Sequence, residues 1–195
     1  MMEKHIKTSL DYTISLPICQ NLMVLLNLQE IKYKLDWQNL FTMAARKNTK
    51  REFLFVSKVL GKHLAINPII LKIIGGILCR LWIEKRELYH DTDTDILVKA
   101  LTDIQNNQSI SPELSEQVNK ILCSPVTLKH RTLFIGFAET ATGIAQSVFS
   151  SSLNSYYIHT SRENITKIKP SILFCEEHSH ASEHMIFPID PNIFN

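Results

Sequence analysis

Residues Gly136-Phe137-Ala138-Glu139-Thr140-Ala141-Thr142-Gly143 place a carboxylate, two hydroxyls and two glycines between an apolar run, Leu133-Phe134-Ile135, and a segment with helical spacing. A turn from the C-terminal end of a strand into a helix leaves backbone N–H groups unpaired at a partly positive helix end. Small residues let an anion approach those amides. The hydroxyls of Thr140 and Thr142 can add donors, and Gly143 permits a tight turn. The chemistry this suggests is the holding of a phosphate or diphosphate across Glu139, Thr140, Ala141, Thr142 and Gly143. The same residues also suit a plain strand-to-helix turn with threonine as the cap, and both readings stand at this point. The stretch matches neither G-x-x-x-x-G-K-[ST] nor G-x-G-x-x-G.

Three other clusters carry reactive groups. Lys58, Lys62 and His63 follow the apolar run Phe53-Leu54-Phe55-Val56, where basic groups at a strand end would suit a phosphate and would equally suit a solvated loop. His159-Thr160-Ser161-Arg162 follows a second apolar run and offers His159 and Arg162. Glu176-Glu177-His178-Ser179-His180-Ala181-Ser182-Glu183-His184 packs three histidines and three glutamates into nine residues. His180 and His184, four apart, would share one face of a helix, the geometric seed of a zinc site. No H-E-x-x-H occurs, further metal ligands are unknown, and a polar active-site loop is the competing reading.

The elements that must position these groups can be read from pattern. Asp36 is a candidate N-cap for a helix through Trp37, Leu40, Phe41, Ala44 and Ala45, ending near Lys47. Phe53–Val56 is a short buried strand. Asn67-Pro68 opens a helix to about Arg86, a second follows the polar break His90–Asp95, and Ser111-Pro112 opens a third. Then strand 133–137, helix 143–152 and strand 156–159 form a βαβ unit, which implies parallel strands. Ile172-Leu173-Phe174 is a further strand. A parallel sheet would gather the loops at Lys62, Glu139, His159 and Glu176 on one rim, where α/β proteins bind ligands.

The bulk properties exclude several classes. The chain has 195 residues, 21 basic and 19 acidic side chains and a net charge of +2, too even a balance for a nucleic-acid footprint. Cys19, Cys79, Cys123 and Cys175 are widely spaced, which fits reduced thiols in a cytoplasmic protein. The N-terminus has no apolar signal core. The apolar run 69–83 is broken by Lys72 and Arg80 and falls short of the roughly 20 residues a bilayer span needs; no membrane partner is expected.

The segments ARKNTKREFLFVSKVLGKHLAINP, FIGFAETATGIAQSV, YYIHTSRE and FCEEHSHASEH together resemble a bacterial phosphoribosyltransferase family whose genes are associated with tellurium-resistance (ter) stress clusters. The resemblance runs in segments from Trp37 to the C-terminus. It implies an α/β fold of type I phosphoribosyltransferase kind, a parallel sheet flanked by helices. On this basis residues 1–35 are an N-terminal extension and 36–195 the front portion of the domain, with a helical segment at 67–125. The N-terminal or inserted portion is expected to be helical. The resemblance implies phosphoribosyl pyrophosphate (PRPP) or a nucleotide-like small molecule as ligand, Mg²⁺ as cofactor, and transfer of ribose 5-phosphate to an unknown acceptor. Glu139–Gly143 would hold pyrophosphate. Lys62, His63, His159 and Arg162 would line the rim, and Glu176, Glu177, His178, His180 and His184 fall in the family's signature loop, with no role assigned. No covalent nucleophile is identified. Type I enzymes also carry a strand followed by two adjacent carboxylates and a Thr-Gly, and this chain has no such stretch after His184. The expectation is therefore a truncated sheet, a chain inactive alone and a second chain carrying the missing portion. Two alternatives belong to other classes: a non-catalytic nucleotide-binding module, and a metal-dependent hydrolase built on the histidine-rich segment.

Overall fold

The computed structural model describes residues 12–19, 22–28, 33, 35–47, 52–87, 91–164, 169–175 and 183–187. The chain divides into two compact units, Met1–Lys58 and Val59–Asn195.

The first unit is built of strands. β1 (Tyr12–Cys19) and β2 (Leu22–Leu28) pair antiparallel. Ile14, Leu16 and Ile18 on one strand and Val24 and Leu26 on the other alternate with exposed residues, the period of a half-covered sheet. A single 3₁₀ turn, Trp37–Asn39, leads into β3 (Phe41–Ala45), which pairs antiparallel with β4 (Phe53–Ser57). Two expectations are corrected here. Among the described residues before Asp36 there are strands where helix was expected, while the inserted portion is helical, and the helix expected from Asp36 to Lys47 stops after one 3₁₀ turn. Asp36 does cap, accepting from the Gln38 N–H at 3.0 Å. Phe41 and Phe55 then meet edge-on at 5.3 Å, and Trp37 lies 5.5 Å from Phe41. Such cross-strand aromatic contacts stabilise a sheet, and the helical spacing of Trp37, Leu40, Phe41, Ala44 and Ala45 overlays the period of two that Phe41 and Met43 follow in β3.

The second unit is mixed α/β. α1 (Pro68–Glu87) starts as expected, with the Asn67 side chain accepting from the Ile69 N–H at 3.1 Å. α2 (Thr92–Gln105) is capped by Asp91, whose carboxylate accepts from the Asp93 N–H at 3.0 Å. The same carboxylate takes the Nε–H of Arg80, 2.9 Å away and 3% exposed. Arg80 is thus a buried tie between α1 and α2, not an interruption of an apolar run. α3 (Pro112–Leu122) is capped by Ser111. β5 (Val126–Gly136), α4 (Thr142–Ser150) and β6 (Ser152–His159) form the expected βαβ unit with parallel strands. β7 (Ile172–Cys175) pairs antiparallel with β8 (Glu183–Ile186).

Among the described residues, then, there are four α-helices and one parallel strand pair, β5–β6. The expected single parallel sheet with four rim loops is corrected: β4 and β7 each belong to an antiparallel hairpin. The β7–β8 hairpin reaches the end of β6 through mutual backbone bonds between Ser161 and Met185, at 2.7 and 2.9 Å. One face of β5–β6 is covered by α1 and α4, where Cys79, Ile83, Trp82, Leu128, Phe134 and Val148 pack together. α1 and α4 approach so closely that a Cβ on Gly75 would lie 2.1 Å from Ser147 Oγ and 2.7 Å from the Ser147 carbonyl carbon. Only glycine allows that crossing.

Candidate functional site

β5 and β6 end at the same edge, with Gly136 opposite His159. A Cβ on Gly136 would meet the Ala141 carbonyl oxygen, the Thr142 Cα and the Ala145 Cβ, each at 3.1 Å. Glycine therefore lets the strand end tuck beneath the first turn of α4. The intervening turn is closed by the Ala141 N–H, which donates to the Phe137 carbonyl at 3.0 Å. Its Ala138–Glu139 peptide is cis. Two hydroxyls brace the exit. Thr142 Oγ1 donates to the Glu139 carbonyl at 2.9 Å, and Tyr157 Oη donates to the Thr142 carbonyl at 2.9 Å. Burial raises the pKa of the Tyr157 phenol, which keeps it a donor through neutral pH.

Ala141 occupies the N-cap position of α4 and makes no side-chain capping bond. The first N–H groups of the helix are left without a side-chain cap, and they carry the positive end of its dipole. Neither threonine occupies the N-cap position: Thr142 Oγ1 donates to the Glu139 carbonyl and Thr140 Oγ1 accepts from a cation. Lys62 Nζ donates to Thr140 Oγ1. One ammonium, a hydroxyl, an exposed carboxylate and an uncapped helix end thus lie together on a single turn.

The remaining site residues distribute as follows. His63 is exposed beside Lys62. His159 is exposed at the end of β6, with Nδ1 3.0 Å from the Thr160 carbonyl, which makes that nitrogen the donor. Arg162 is half-buried just beyond. His184 is not on a helix with His180. It sits on β8, 1% exposed, with Nδ1 2.9 Å from Thr160 Oγ1. Glu176, Glu177, His178 and His180 lie outside the described residues. Lys58 belongs to the first unit, where its Nζ donates to the Gln38 carbonyl at 2.8 Å. Thr160 is the residue that sequence reasoning passed over. It is 1% exposed, its N–H donates to the Gly136 carbonyl at 2.9 Å, and its Oγ1 accepts from the Ala138 N–H at 2.8 Å. The available signal was its position, one residue past a parallel strand and level with the turn.

A family model described as phosphoribosyl transferase matches residues 40–195. The chain belongs to this phosphoribosyl transferase family. Comparison with curated proteins and with solved structures gave no match. The phosphoribosyl transferase match takes in the Lys62 loop, the Glu139 turn, β6 and the β7–β8 hairpin. A separate groove of about 530 Å³ runs between α1, α3 and α4, lined in part by Lys72, Asn119, Cys123, Gln146 and Ser150. Gly143 is the one residue of the Glu139–Gly143 turn that lines it. Among the described residues no helix is long and apolar enough to cross a membrane.

Proposed function

We propose that the turn Glu139–Gly143 and Lys62 hold the diphosphate of PRPP, and that the protein transfers ribose 5-phosphate from it to an acceptor nucleophile, as type I phosphoribosyltransferases do. The observation that carries this reading is the uncapped start of α4 with Lys62 bonded to Thr140 beside it. Backbone amides at a helix N-terminus and a lysine are a common pairing for phosphoryl oxygens. His159, opposite Gly136 at the start of the turn, supports a role for the end of β6 in facing the ribose phosphate or the acceptor, and Arg162 follows it in the chain.

In the reaction the C1–oxygen bond to diphosphate breaks and its electron pair leaves on the diphosphate. A lone pair of the acceptor forms the new bond to C1, and the acceptor loses a proton. The residues contribute by fixing the leaving group and stabilising its growing negative charge. No protein nucleophile is needed. Cys79 is unsuited to that role, since burial pushes its thiol up to about 11.

Mg²⁺, where bound, would neutralise charge on the diphosphate. The donor set at the turn is one exposed carboxylate, Glu139, and hydroxyl oxygens. Among the described residues no group of three or more His, Cys, Asp or Glu side chains gathers to hold a metal. A lone carboxylate such as Glu139 could serve a magnesium ion held chiefly by substrate phosphates.

The test is calorimetric titration with PRPP and with pyrophosphate, with Mg²⁺ present, alongside an assay of pyrophosphate release against candidate acceptor bases. Saturable binding with pyrophosphate release supports the proposal. Saturable binding with no release under any acceptor supports a regulatory module on the same site. Absence of binding at millimolar ligand sinks both.

A further inference from the structure

We infer that His184, on the β7–β8 hairpin, is a positioning residue for the Glu139 turn, acting through Thr160 on the Ala138 amide. The inference rests on the proposed diphosphate role of that turn. Two independent contacts carry it. The first is a hydrogen-bond chain, from His184 Nδ1 to Thr160 Oγ1 at 2.9 Å and from the Ala138 N–H to the same Oγ1 at 2.8 Å. The second is a ring cluster. His184 stacks on Phe174 at 5.2 Å with 10° between planes, and Phe137 lies 5.8 Å from His184 and 5.6 Å from Phe174.

Phe137 and Ala138 are the first two residues of the turn after β5. Phe137 is held by rings of the hairpin, and the Ala138 amide by Thr160, whose hydroxyl is in turn bonded to His184 on the hairpin. Thr160 Oγ1 has one proton and two lone pairs. One lone pair accepts from Ala138. His184 Nδ1 fixes which way the hydroxyl proton points, and so holds the oxygen where the amide needs it. With Thr160 and His184 both 1% exposed and Ala138 9% exposed, no bulk water substitutes for a lost partner. A buried amide that loses its acceptor seeks another geometry. Here that shift moves the Ala138–Glu139 unit, and with it the residues next in line to meet a diphosphate.

The experiment reads two quantities in the full chain: hydrogen exchange of the Ala138 amide without ligand, by NMR, and pyrophosphate affinity by calorimetry. His184→Leu is expected to speed Ala138 exchange by at least about tenfold and to weaken pyrophosphate binding by about tenfold, the scale of one hydrogen bond. His184→Asn, whose amide falls near the Nδ1 position, is expected to restore both to within about threefold. Thr160→Val should mimic His184→Leu, and Thr160→Ser should not. If His184→Leu does not fold, His184→Asn against His184→Gln keeps the question open to decision, since the glutamine amide falls near Nε2 instead; equal behaviour of the two overturns the inference. So does a folded His184→Leu with unchanged exchange and affinity. A wild-type chain that binds no pyrophosphate overturns the functional reading, and Ala138 exchange then still decides whether His184 controls the turn.

Discussion

Replacing Gly75 by alanine gives the sharpest test of how the site is supported. In an ordinary helix interior this change stabilises by about 1 kcal/mol through helix propensity. Here the new methyl would sit 2.6 Å from Ser147 Cβ and 2.7 Å from the Ser147 carbonyl carbon. Carbon atoms at rest lie about 3.5–4.0 Å apart, so α1 and α4 must part by roughly 1 Å. Backbone is involved, and no side-chain rotation relieves the clash. Overpacking of this kind costs about 1–3 kcal/mol. Parting the helices also breaks the bond from Ser147 Oγ to the Leu71 carbonyl, 2.9 Å long, worth about 1 kcal/mol. Set against the propensity gain, the net loss is about 2 kcal/mol, or a fall in Tm of roughly 4–8 °C for a chain of this size. The assay is thermal unfolding followed by circular dichroism. Gly76→Ala is the control, because its Cβ would meet side-chain ends, Leu97 Cδ1 at 3.0 Å and Leu122 Cδ2 at 3.4 Å, which can give way. A Gly75→Ala protein as stable as wild type, or more so, would refute the claimed helix crossing. The functional corollary follows from α4 carrying the Glu139 turn at its start. A displacement near 1 Å is enough to cost about a hundredfold in a site that works by positioning, so pyrophosphate affinity should fall in the same variant.

Lys62→Ala removes the cation bonded to Thr140 and should weaken pyrophosphate binding by roughly 10- to 100-fold, the worth of one charge-assisted hydrogen bond; unchanged affinity by calorimetry would remove Lys62 from the site. Asp91→Ala uncaps α2 and deprives the buried Arg80 of its 2.9 Å partner. Asp93 Oδ2, 3.5 Å from the Arg80 guanidinium, still faces the charge, so the loss should fall short of the about 3–5 kcal/mol of a fully unpaired buried ion, and the urea midpoint should still drop clearly below wild type. Cys79 should resist alkylation in the folded protein at pH 8 while exposed Cys19, Cys123 and Cys175 react, since its thiol titrates at about 11; mass spectrometry before and after denaturation reads the difference. The same shift has a stability sign. The folded pKa of Cys79 lies above the ordinary thiol value of 9.0, so its contribution is whole below pH 9 and is lost as pH climbs towards 11. Thermal scans across that window should show the decline, and Cys79→Ala should flatten it.

Local signals of helix start and strand–helix alternation were legible in the sequence, and they located the second unit well. Asn67-Pro68 and Ser111-Pro112 open helices where their capping chemistry says they should. The βαβ unit follows from apolar runs on either side of Gly143, and the parallel pairing from the length of the crossover. What was not legible depends on partners distant in sequence. Phe41, Ala44 and Ala45 read as helix because the strand Phe53–Ser57, whose pairing makes them strand, lies beyond a gap of several residues. Arg80 looks like an interruption until Asp91 is seen beside it. Gly75 has no local signature distinguishing a helix crossing from a weak point. His184 counted as one of three histidines in a polar loop, yet it is a buried strand residue, because Phe174 on the paired strand stacks on its ring and Thr160 beyond β6 bonds its Nδ1. Within the site, the turn itself was legible and its supports were not.

That division has a physical basis, and it bears on where the strength of the site comes from. A two-stranded sheet is marginal by itself, so β5–β6 cannot hold the turn unaided. On one face α1 and α4 supply the missing burial, through Cys79, Ile83, Trp82 and Phe134. On the other face Ile135 is 42% exposed and Tyr156 39%, and Phe137 is 52% exposed even with Phe174 and His184 against it. The supports of the Glu139 turn are therefore unequal. Its exit into α4 is anchored in the covered layer by Gly75, Ser147 and Tyr157. Its entry at Phe137 and Ala138 lies over the open face and depends on Thr160 and the β7–β8 hairpin. Motion in the turn should accordingly be greater at Phe137–Glu139 than at Thr142–Gly143, and a bound diphosphate should rigidify the first pair more than the second. Backbone relaxation measured with and without pyrophosphate reads this directly. Equal order across the turn in the free protein would mean that the open face is not the weaker support.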